Sequence, residues 1–193
     1  MAVDTAAGSA TRDRLLAAAR DEFAAHGIAG ARVDRIARVA GANKERIYGY
    51  FGSKENLFQA VIAAAKAEHT AALGEPSGDL AEYVGRLYDH HREHPTLLRL
   101  MQWEALYYGD QRPAEDNGRA DLYRDKVAAL ANAMGGSTHR DAAATLLILI
   151  GLAAWPHTAP QLRRFLVDTD DEEATHQAVR QHVVEFARAA LYR

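Results

Sequence analysis

The sequence predicts an all-α protein in which a small N-terminal helical domain precedes a larger helical one. Three observations predict it. Apolar residues recur at helical spacing along the chain, no sustained strict alternation with β-branched enrichment occurs, and glycine- or proline-rich breakers cut the chain into helix-length pieces. With 193 residues, 48% hydrophobic and 25% charged, the chain can bury a substantial core, which excludes disordered and fibrous classes.

Residues 1–10, MAVDTAAGSA, lack the basic start and apolar run of a secretion signal and read as a disordered tail. Thr11 can cap a first helix that carries Leu15, Ala19 and Phe23 on one face, with Gly27 as its C-cap. Two short helices follow within residues 31–54. A fourth starts at Ser53 and shows Leu57, Phe58, Val61, Ile62 and Ala65 as a buried stripe before ending near Leu73. Two glycines and a proline between Gly74 and Asp79 mark the best domain boundary, so a first domain is expected over 11–73 and a second over 80–193. In the second, Leu80, Tyr83, Val84, Leu87 and Tyr88 mark one helix, which His94-Pro95 ends or kinks. Leu97, Leu98, Met101, Leu106 and Tyr107 mark the next. The polar stretch 109–118 reads as an exposed loop, and Leu122, Val127, Leu130 and Met134 outline a helix closed by Gly135-Gly136. Two long helices remain: an apolar one ending at Trp155-Pro156, and one from about Glu172 to Leu191. The apolar run from Ala142 to Trp155 falls short of the ~20 residues of a bilayer span, so no membrane partner is expected.

Charge separates the two halves. The chain carries a net charge of −3, yet residues 31–54 hold Arg32, Arg35, Arg38, Lys44, Arg46 and Lys54 against only Asp34 and Glu45. Within that basic stretch Ala37, Gly41 and Ile47 suit a near-perpendicular helix crossing: a small residue for close approach, a glycine for the left-handed turn, a branched plug. Asn43 can cap the second helix, whose leading side chains Lys44, Glu45 and Arg46 would enter a DNA major groove first. There are no cysteines, which excludes disulfides, thiolate metal sites and cysteine nucleophiles.

The order Ile36-Ala37, Gly41, Asn43-Lys44, Ile47-Tyr48, Tyr50-Phe51 and Lys54-Glu55-Asn56-Leu57 resembles the N-terminal domain of the tetracycline-repressor (TetR) family over roughly residues 11–62. The resemblance implies a three-helix DNA reader, a helical C-terminal domain that binds a small-molecule effector and forms a homodimer, and a repressor acting in the bacterial cytoplasm. It also implies that Lys44, Tyr48, Tyr50 and Lys54 hold phosphates, whereas Arg46 and Glu45 read bases. Ala31 and Arg32 stand where many members carry Ser or Thr, so Arg32 would supply the phosphate contact and the second helix would lose about 1 kcal/mol of capping unless another group replaces it. Arg35 and Arg38 fit a solvated face as well as DNA.

Trp103, Tyr107, Tyr123 and Trp155 are candidates for the effector pocket, with ordinary core as the alternative. Leu146, Leu149, Ile150 and Ala153, together with Val179, Val183 and Phe186, are candidates for a four-helix dimer seam, with the subunit core as the alternative. His90 and His94 stand four apart, a spacing able to hold a metal on one helix face, but no third ligand or H-E-x-x-H pattern accompanies them, so no metal or cofactor is expected. The other readings are a DNA-binding dimer without an effector and, less well supported, a helical metal-binding protein or enzyme; no acid/base pair or nucleophile arrangement favours the enzyme.

Overall fold

The computed structural model describes residues 2–111, 118–167 and 171–192; most of the expected loop 109–118 lies outside them. Ten helices make up the described residues: α1 (Ala2–Gly30), α2 (Val33–Val39), α3 (Lys44–Phe51), α4 (Lys54–Leu73), α5 (Leu80–Glu93), α6 (Pro95–Tyr108), α7 (Arg119–Ala133), α8 (His139–Thr158), α9 (Pro160–Leu166) and α10 (Glu172–Leu191). Packing divides them into two units, residues 1–67 with 99–119 and residues 68–98 with 120–193. The first unit thus takes in most of α6 beside α1, α2, α3 and the larger part of α4.

In the first unit Leu15, Ala19 and Phe23 of α1, Ile36 of α2, Ile47 of α3 and Leu57, Phe58 and Ile62 of α4 are buried. Phe23 meets Phe58 edge to face at 5.0 Å. Thr11 does not cap α1; the helix starts at Ala2, through the stretch read as a disordered tail, and Thr11 Oγ1 accepts from Arg14 Nη2 at 3.2 Å. Alanines favour that extension, and Tyr50 ties it down by donating its hydroxyl to the Gly8 carbonyl at 3.1 Å. Near its far end α1 breaks at Gly27 (φ 66°, ψ −179°), a conformation reserved for glycine. The missing side chain also makes room for Trp103 of α6, whose Nε1 donates to the Ala24 carbonyl at 3.2 Å.

In the second unit α5 packs against α8 and α10 around Val84, Leu87, Tyr88, Leu149, Ala153, Val183 and Ala187. A neighbouring cluster joins Leu80, Val127, Leu130, Ala142 and Leu146. Side-chain caps start three of its helices: Asp79 on α5, Thr138 on α8 and Asp171 on α10. The α8 helix runs past Trp155-Pro156 to Thr158; Pro156 forfeits its own i−4 bond, while Thr158 Oγ1 donating to the Ala154 carbonyl at 3.0 Å and Ala159 N–H donating to the Trp155 carbonyl at 3.1 Å hold the last turn. Its 20 residues are long and apolar enough, by length and composition alone, to cross a membrane, but Ala142, Leu146, Leu149 and Ala153 lie in the unit's core. The short α9, opened by Pro160, follows without a counterpart among the expected helices.

Candidate nucleic-acid interface

The turn between α2 and α3 is built by backbone chemistry. Ala42 N–H donates to the Ala37 carbonyl at 2.9 Å and Gly41 N–H to the Arg38 carbonyl at 3.2 Å, with Gly41 at φ 62°. This is a Schellman stop, and its left-handed residue must avoid a Cβ penalty. Two residues on, Asn43 Oδ1 accepts the Arg46 amide at 3.1 Å and starts α3. With Ile47 and Phe51 buried, α3 presents Lys44, Glu45, Arg46, Tyr48 and Tyr50 to solvent.

The start of α2 has no cap from its own Arg32 side chain. The replacement comes from α1: Glu22, only 7% exposed, accepts the Arg32 amide at 2.8 Å and Arg35 Nε and Nη2 at 2.7 and 2.8 Å. Burial pushes the Glu22 carboxyl up, but the hydrogen bonds of Arg35 and Arg32 and the Arg35 charge outweigh it and hold the carboxyl below its ordinary range. Arg35 is therefore a structural residue, while Arg32 and Arg38 remain exposed. Arg14 has a similar duty, donating from Nε to the Ala40 carbonyl at 3.1 Å and so fastening the end of α2 to α1. Neither Glu22 nor Arg14 is marked by any sequence pattern.

An open cleft of about 610 Å³ lies beside the leading end of α3, lined by Gly8, Arg14, Asn43, Arg46 and Tyr50 among others. Tyr50 faces it with its hydroxyl already engaged by Gly8, so its candidate phosphate role requires the O–H to swing from the Gly8 carbonyl and donate to the phosphate instead. Lys54 stands half-buried at the first position of α4. Lys44 reaches back to Asp34 of α2 at 3.2 Å, and that carboxylate raises the lysine pKa. The pair draws the ammonium away from an incoming phosphate. We expect Asp34→Asn to strengthen binding to DNA of any sequence by about threefold to tenfold at low salt and to steepen the salt dependence by about one charge. Anisotropy titrations across salt concentrations check this; an unchanged slope would show that Lys44 already reaches DNA.

The other candidates separate. Trp103 fills the space over Gly27 in the first unit, and Tyr107, 46% exposed, lies edge-on to Tyr108. In the second unit Tyr123 is half-buried and Trp155 is 59% exposed. Of the seam candidates, Leu146, Leu149, Ala153 and Val183 are buried within the subunit, with Ile150 and Val179 packed against the same core. The outward face of α8 is instead Leu147, Ile148, Gly151 and Trp155, and only Phe186 of the expected α10 residues is exposed. An all-round apolar helix offers two stripes, and periodicity alone does not say which turns inward. The His90 and His94 rings lie 4.4 Å apart, but no group of three or more metal-ligating side chains forms among the described residues.

Residues 15–61 match the family model of the bacterial regulatory proteins of the tetR family, and residues 79–189 match that of the tetracyclin repressor-like C-terminal domain. The HTH-type transcriptional repressor SCO4008 of Streptomyces coelicolor is 39% identical over 165 residues, covering 84% of this chain and 86% of that one. The HTH-type transcriptional repressor NicS of Pseudomonas putida is 34% identical over 117 residues, covering 57% and 55%. Among solved structures, the transcriptional regulator SCO4942 of Streptomyces coelicolor superposes with a TM-score of 0.75 at 31% identity, over 95% of this chain and 99% of its own.

Proposed function

We propose that this chain, which belongs to the tetracycline-repressor (TetR) family of bacterial regulators, is a cytoplasmic repressor that binds a palindromic operator as a homodimer and releases it when a small effector binds. The observation that carries the DNA half is the Asn43-capped α3, held by the Gly41 stop so that Lys44, Glu45, Arg46 and Tyr48 all point outward. Arg46 and Glu45 then read base edges, while Arg32, Lys44, Tyr48, Tyr50 and Lys54 hold phosphates. Two copies would set their α3 helices in successive major grooves about 34 to 36 Å apart. An effector that prefers a conformer with another spacing would weaken DNA binding by the same coupling free energy.

Selection of DNA from a random pool tests this directly, and a recovered palindrome with one-turn half-site spacing is expected. Recovery of no motif would sink it. Against that motif, Arg46→Ala should lose about tenfold to a hundredfold and relax preference at one position, whereas Lys54→Ala should weaken all sequences alike.

The dimer half rests on the exposed apolar face of Leu147 (73% exposed), Ile148 (69%), Trp155 and Phe186 on α8 and α10. Such a face suits a second copy of itself, because a two-fold axis pairs equal patches. Leu147→Asp should leave the helices folded, give a monomer in sedimentation and lower operator affinity by about a hundredfold or more, since one half-site then acts alone. A dimer that survives this substitution would place the seam elsewhere.

A further inference from the structure

The second unit buries an unusual set of imidazoles. His91 of α5 is 3% exposed and neither ring nitrogen has a hydrogen-bond partner. His69, from the end of α4, stacks on it at 5.1 Å with the rings 16° from parallel. His157 of α8 lies 4.4 Å from the Tyr88 ring and also leaves Nε2 buried without a partner, as does Arg163 of α9 with its Nε. Buried polar groups are nearly always satisfied, so such a cluster asks for an occupant.

Charge names its chemistry. Burial holds both rings neutral, and basic neighbours add to it: His69, His157 and His90 around His91, and His176, Arg163 and Arg92 around His157. The nearby carboxylate Asp89 is committed to His176 at 3.4 Å and to Arg180 at 2.7 Å. Among the described residues no carboxylate pairs with His91, His157 or Arg163. Among the described residues the cluster thus holds buried nitrogens shielded from water and no free carboxylate to meet them.

We propose that His91, His157 and Arg163 form the recognition site for a small organic acid, whose carboxylate enters together with one proton. Arg163 Nε–H donates to one carboxylate oxygen. The proton taken from solvent settles on a histidine ring, turning an idle lone pair into a donor to the other oxygen; no covalent bond changes. The proposal deepens the reading of the chain as an effector-responsive regulator and depends on it. It gives that effector a charge, and it makes acid and proton bind as a pair.

Calorimetry on the full chain with benzoate and octanoate, each against its matched amide, tests it. At least one carboxylate should bind about tenfold tighter at pH 6 than at pH 7, as uptake of one proton requires, and the amides should bind at least about tenfold more weakly. His157→Gln and His91→Phe should each lower that affinity about tenfold or more, and His157→Gln should flatten its pH dependence. Failure of both carboxylates to bind, pH-independent binding, equal binding of the amides, or zinc binding that disappears in His91→Phe would each overturn the proposal. Operator binding, followed in parallel, separates the two levels. A chain that holds its operator and is released by uncharged compounds keeps the regulator and loses the acid site. A chain that selects no operator loses the regulator itself.

Discussion

Replacing Gly27 with alanine is expected to cost the first unit roughly 3 to 5 kcal/mol and to abolish DNA binding at 37 °C. Two penalties combine. The backbone at Gly27 (φ 66°, ψ −179°) lies where a side chain is strongly disfavoured, and an added Cβ would stand 2.6 and 2.7 Å from Trp103 Cε3 and Cδ2. Trp103 has little freedom to retreat, because its Nε1 is held by the Ala24 carbonyl. A marginal margin of about 5 to 15 kcal/mol for a whole domain leaves little after such a loss. Denaturant melts of Gly27→Ala, Trp103→Leu and the double variant form a cycle. The double variant should recover the overlap part of the loss while the dihedral part stays, and strictly additive losses would disprove the close approach.

Mild acid is the second large perturbation. Burial first, and then His69, His157 and His90, lower the His91 pKa from its ordinary 6.5 to about 3, while burial, His176 and Arg163 lower that of His157 to about 4. Between pH 6.5 and 3 the unfolded chain binds a proton that folded His91 refuses, so stability falls as pH falls through that window. At about 1.4 kcal/mol per pH unit, His91 alone removes roughly 2 kcal/mol by pH 5. His157, also neutral in the folded state down to about pH 4, adds a comparable loss over the same range. His91→Phe keeps the ring shape and discards two unpartnered nitrogens, so it should be at least as stable as the parent at pH 7 and should flatten the decline between pH 6.5 and 5. A variant whose thermal midpoint falls with acid as steeply as the parent's would show that His91 does not drive the loss.

The DNA-reading element was legible because local chemistry builds it. Gly41 needs its left-handed turn, Asn43 needs the Arg46 amide, and Ile47 plugs the crossing, all within eight positions of one another. The Glu22 clamp was not legible. It links residues 10 and 13 apart across a helix boundary, and a glutamate inside a helix carries no mark of burial. Helix α8 shows the opposite limit: its existence was plain from apolar content, yet its inward stripe is settled only by the α5 and α10 residues it meets. The sequence leaves Trp103 open between pocket wall and core because an aromatic suits either role, and the empty side of Gly27 that receives it lies 76 positions earlier in the chain.

The Glu22 clamp frees position 32 from a duty. Where a Ser or Thr side chain must cap α2, any change there trades folding against DNA preference. Here Glu22 takes the Arg32 amide, which every residue except proline offers, and the Arg32 side chain projects into solvent. Selection can therefore change the residue 32 side chain, and with it the proposed DNA contact, without renegotiating the fold. The helix that reads DNA gains an evolvable neighbour whose stability is underwritten from α1.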